Sequence, residues 1–100
     1  MATVSKALFR GAASTSSATL YTVPASTTTV VTNIVVTNTV IGDATFTLLL
    51  DDVSIATTVT VGGFDTTVID LKQVLATTKT IKGLASAVTV NFHISGVEIA

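Results

Sequence analysis

His93 is the only histidine in the 100 residues, and so the only side chain whose ordinary pKa suits proton transfer near neutral pH. A nucleophilic site would need it oriented by a carboxylate and set against an activated Ser or Thr. Ser and Thr abound, yet none sits in a turn such as Gly-x-Ser-x-Gly that presents a nucleophile. Alternation through Asn91-Phe92-His93-Ile94 turns Phe92 and Ile94 inward and His93 outward beside Asn91. The residue therefore reads as a surface or interface histidine, not a base.

The carboxylates give no stronger lead. Calcium takes six to eight oxygens from a loop of spaced ligands, whereas Asp51-Asp52 are adjacent residues of a two-residue hairpin connection. Asp43, Asp65 and Asp70 fall on other turns and strands, and Glu98 stands alone near residue 100. No acid–base pair for glycoside cleavage is nominated. Gly62-Gly63 lacks the lysine and following helix of a phosphate loop. The reading is of no enzyme, no metal site and no cofactor.

Binding chemistry is equally sparse. Lys6, Arg10, Lys72, Lys79 and Lys82 are the only cations and none lies between positions 11 and 71, too few to track a phosphate backbone. Lys72, Lys79 and Lys82 read as a solvated region. There is no Trp, and Phe9, Phe46, Phe64 and Phe92 occupy mostly core-like positions. Tyr21 is the one aromatic with a polar tip free for a partner. No apolar run approaches the roughly 18 residues of a membrane helix, and the chain is too short for a membrane barrel. Neither nucleic acid nor membrane is an expected partner.

The elements that would position these residues are strands. Thr, Val and Ile number 21, 15 and 7, and such β-branched side chains fit a pleated strand better than a helix. Residues 1–10 read as a first strand or arm, followed by a small polar connection over 11–17. Residues 18–23 form a strand ended by Pro24. Residues 28–37 form the strongest strand, with Val30, Thr32, Ile34 and Val36 on one face and Val31, Asn33, Val35 and Thr37 on the other. Residues 45–50 point Phe46, Leu48 and Leu50 inward. In residues 53–61, Val53, Ile55, Val59 and Val61 share parity. Residues 66–71 make another strand, residues 72–78 alone have some helical character, and residues 79–86 bury Ile81 and Leu84. Residues 87–94 turn Val88, Val90, Phe92 and Ile94 inward, and Gly96 marks a bulge or bend.

Seven to nine short strands with turns every 8–12 residues imply an all-β fold, one small antiparallel β-sandwich of jelly-roll or Ig-like type spanning residues 1–100. Within it, residues 1–17 are an N-terminal arm or first strand. The mean hydropathy is high and only 11% of residues are charged, yet no Cys or metal cluster staples the core. Association is the remaining means of burying the surplus apolar surface. A homo-oligomer is expected, a trimer among its candidate states. A Thr- and Val-rich strand without charge, such as 28–37, needs its edge covered.

Leu20-Tyr21-Thr22-Val23-Pro24-Ala25, followed by Thr28 to Asn38 and by the strand and hairpin of Ala44 to Ile55, resembles small virion structural proteins of tailed bacteriophages. The resemblance covers residues 18–61 and carries no catalytic residue. It implies a place on the particle, assembled in the bacterial host cytoplasm, as a capsid decoration (cement) protein or small tail component. The implied partners are other copies and other virion proteins such as capsid or tail subunits. Arg10, Tyr21, Val31, Asn33, Val35 and His93 are the expected interface residues. The alternative is a module of a tail or head fibre that recognises a host surface or glycan.

Overall fold

The computed structural model describes residues 2–100, which form eight strands and no helix. The strands are β1 (Thr3–Ala12), β2 (Ala18–Thr22), β3 (Thr28–Asn38), β4 (Ala44–Leu50), β5 (Val53–Val61), β6 (Thr66–Leu75), β7 (Thr80–Ala85) and β8 (Val90–Ile99). They make two antiparallel four-stranded sheets, ordered β1-β8-β3-β6 and β2-β7-β4-β5. That order is the jelly roll of the two expected sandwiches.

The pairings are nested. β4 pairs with β5, β3 with β6, β2 with β7 and β1 with β8, so the chain doubles back on itself about Asp51-Asp52. Both turn residues have positive φ, 54° and 60°, as a two-residue type I′ hairpin requires. Asp enters this left-handed region more readily than bulkier residues do. Lys79 and Lys82 of the neighbouring connection and β7 then lie 3.5 Å from Asp51 and 2.7 Å from Asp52.

Clean alternation in β4 and β8 fills the space between the sheets. Phe46, Leu48 and Leu50 face Phe92, Ile94, Ile34 and Val36 in one buried cluster. Phe46 and Phe92 meet edge to face with ring centres 6.3 Å apart, joining the layers.

Several sequence expectations are corrected. Residues 72–75, good helix formers, continue β6 because their backbone groups pair with β3, and a sheet ladder outweighs weak helix propensity. The assumed parity of residues 28–37 breaks at Thr32, where the register shifts; Thr29 and Val31 face inward on one side of it, Ile34, Val36 and Asn38 on the other. β3 lies between β8 and β6, so its edges are already paired, and the open edges are β1, β6, β2 and β5. Of the two readings of the first residues, arm or first strand, residues 3–12 take the second and form one of those edge strands; residue 1 lies outside the described residues.

Further shifts follow from bulges. In β5, Ile55 is displaced, and Ala56 takes the inward place opposite Leu48. Val53 and Val59 stay exposed because β5 is outermost, leaving only Val61 of that set buried. In β7, Gly83 and Ala85 join Ile81 inside while Leu84 turns outward. Val88 precedes β8 and is 61% exposed. Gly96 does mark a bulge, as expected: the register with β3 shifts between the Val31–Gly96 and Asn33–Ser95 pairs, and a Cβ on the glycine would come within 2.5 Å of the Val30 carbonyl oxygen, so it permits close strand approach.

Candidate interaction surfaces

Residues pointing away from the core on the β1-β8-β3-β6 sheet fall into cross-strand rows. Arg10, His93, Val35 and Val68 form one row, and Ala7, Ser95, Asn33 and Asp70 form the next. Beyond these, Ser5, Val97, Val30 and Val74 form an apolar row. Four of the six expected interface residues, Arg10, Asn33, Val35 and His93, thus share one broad face although 83 residues of chain separate Arg10 from His93. Small and β-branched side chains make up much of that face. Its charges are at opposite margins: Arg10 on β1, and Asp70 with Lys72 on β6.

The other two expected residues are elsewhere. Val31 is fully buried beyond the Thr32 shift. Tyr21 is buried between the layers, and its hydroxyl is already engaged by Glu98 Oε2 at 2.5 Å and Thr29 Oγ1 at 2.8 Å. Its tip is not free. Burial, reinforced by the Glu98 carboxylate, pushes the phenol up to about 12. Glu98 is not isolated: the Tyr21 hydrogen bond, helped by Lys6 at 3.4 Å, lowers its pKa below the usual carboxylate range.

The second surface is one end of the sandwich, where the loops at 39–43, 62–65 and 86–89 meet. Ile41, Phe64 and Val88 are 84%, 69% and 61% exposed there, with Val40 beside them. The loops are tied together. Phe64 N donates to Val40 O at 3.1 Å, and Thr39 N and Oγ1 donate to Thr89 O at 3.2 and 2.7 Å. Asn38 is fully buried beneath them; its Nδ2 donates to Gly42 O at 2.8 Å and Val61 O at 3.3 Å. A Cβ on Gly63 would come within 2.5 Å of Gly42 N, so only glycine lets these two loops approach. Phe64 itself has φ 56°, a region where a bulky side chain is strained. An aromatic held at a positive φ and mostly exposed is a cost to the free chain.

No protein-family model matches the chain, and no curated protein matches it.

His93 is exposed, in register with Arg10 and Val35, with no carboxylate across the ladder to orient it. Among the described residues no three His, Cys, Asp or Glu side chains gather as a metal set. A depression lined by Thr32, Asp70, Leu71 and Lys72 is open to solvent and lies where β3 and β6 slip register.

Sequence reading missed the loop end. A signal was present: Ile41-Gly42 and Gly63-Phe64 put large apolar residues inside turns that otherwise read as polar. Such residues cannot reach the core from a tight turn.

Proposed function

We propose that this chain is a non-enzymatic structural protein of a tailed-phage particle, a capsid decoration (cement) protein or small tail component that stabilises its assembly through subunit contacts. The sequence likeness over residues 18–61 supplies the setting. The preformed apolar loop end carries the reading: Ile41, Phe64 and Val88 are presented on hydrogen-bonded loops, so docking them orders little new structure. The outer face of the β1-β8-β3-β6 sheet offers a second contact, to other copies. Binding only to the assembled state stabilises that state by mass action.

The test is a particle carrying Ile41→Ser and Phe64→Ser. Loss of the protein from purified particles, or a fall in their thermal stability, with the free protein still folded, is the expected result. Full incorporation with unchanged particle stability would refute the role of this end.

One observation favours recognition of a host glycan as the second reading. Exposed Phe64 has Asp65 next to it, and carboxylate oxygens of Asp65 and Asp43 both lie within 4 Å of the position a Cβ on Gly62 would take. An aromatic face beside hydrogen-bond acceptors suits a sugar. Saturable binding on a glycan array, abolished by Phe64→Ser, would favour it.

A further inference from the structure

We propose that the outer face of the β1-β8-β3-β6 sheet pairs with the same face of a second copy, about a two-fold axis parallel to the strands. The idea rests on the self-association in the reading above, but it names a geometry that can fail separately.

The rows decide the geometry. Rotation about an axis parallel to the strands, between β8 and β3, keeps each row level and reverses its order. Val30 then lies over Val97 of the partner subunit and His93 over Val35 of the partner subunit. β1 of each copy lies over β6 of the other. Arg10 therefore comes one row from Asp70 of the partner subunit, since the Arg10 and Asp70 rows are adjacent on this face. Strand rise makes that offset about 7 Å along the strand, well within the reach of an arginine. The contact is made twice, once at each margin. The two copies of Arg10 stay about three strand spacings, roughly 14 Å, apart.

An axis perpendicular to the strands does worse. Centred on the middle row, it stacks Asp70 on Asp70 of the partner subunit and sets Arg10 over Ser5 of the partner subunit. Like charges meet and the opposite charges are parted. Lys72, two residues from Asp70 on the same strand, lightens the first penalty but supplies no partner for Arg10. Charge complementarity selects the parallel axis.

Size sets the strength. Four strands spaced about 4.8 Å apart and about ten residues long offer roughly 600 Å² per copy. The pair would bury roughly 1,200 Å², at the lower limit for a specific interface. A reversible dimer with a Kd in the micromolar range or weaker is expected, tightened where many copies are held side by side.

Sedimentation of the purified full chain from about 1 μM to about 1 mM tests this. Wild type should pass from monomer to dimer. Arg10→Asp and Asp70→Arg should each weaken the dimer about tenfold or more, and the double charge swap should recover most of the loss. Phe64→Ser should leave the dimer intact. A monomer throughout the range, a dimer indifferent to both charge reversals, or one abolished by Phe64→Ser would overturn the proposal. None of those results bears on particle incorporation, which tests the functional reading.

Discussion

The Tyr21 hydroxyl donates to Glu98 Oε2 across the two sheets, β2 in one and β8 in the other. The same hydroxyl meets Thr29 on β3, and Glu98 also accepts from Lys6 on β1. Four strands are thereby tied at the end of the sandwich opposite the apolar loops. The network contributes to the pH dependence of stability at both extremes.

Glu98 has a lowered folded pKa, so its contribution is present above the unfolded carboxylate pKa and is lost as pH falls through the folded value. Tyr21 is raised to about 12, so its contribution is present below the unfolded value near 10 and is lost as pH climbs toward 12. Tyr21→Phe should cost about 1–2 kcal/mol at neutral pH and flatten the alkaline limb. Urea midpoints measured from pH 3 to about 11.5 would check both limbs.

Asn38→Ala leaves the Gly42 and Val61 carbonyls without their buried donor. A loss of about 1–3 kcal/mol is expected. Hydrogen exchange should quicken first at Val40 and Phe64, whose amides belong to the loops that Asn38 supports. Uniform exchange across the chain would contradict this.

Phe64→Asn relieves a strained φ at a residue that is mostly exposed. Stability of the free protein should hold or rise by about 0.5–1 kcal/mol, while any docking by the loop end is lost. Thermal melts together with particle incorporation separate the two effects. A substantial drop in melting temperature would show that Phe64 packs against its own chain.

Phe92→Ala removes one partner of the edge-to-face pair at the centre of the core. The expected loss is about 3–5 kcal/mol, a large part of the margin of a small domain. Equilibrium denaturation should show a greatly lowered midpoint, and a change under about 1 kcal/mol would mean that the layers do not meet there.

The strands were legible because β-branched residues and period-two alternation agree in 45–50 and 90–94. The two-residue turn at Asp51-Asp52 was legible for a related reason, since hairpin length and turn chemistry coincide. What escaped was the inversion of faces that several inserted residues impose. The register slips at Leu8 in β1, Thr32 in β3 and Ile55 in β5, and each inverts the inward set on one side of it. A sequence does not mark such an insertion, because Thr32 is as good a strand residue as its neighbours. Val31 was therefore placed on the wrong face, while Asn33 and Val35, beyond the slip, were placed correctly. Tyr21 was misjudged because its partner, Glu98, is 77 positions away. Asp70 was seen only as a scattered acid, since nothing local reveals that it shares a face with Arg10.

The nesting of strand pairs about Asp51-Asp52 has a kinetic consequence. The outermost ladder joins Thr3 to Ile99, a separation that would ordinarily imply slow folding. Here each ladder closes only the segment left between it and the one already formed, so no step pays the entropy of the whole chain. If the hairpin at Asp51-Asp52 zips outward toward both ends, the Ala2–Ala100 hydrogen bonds at the far end of the nest would close last. Substitutions that spoil this turn should slow refolding, whereas those in β1 should chiefly hasten unfolding.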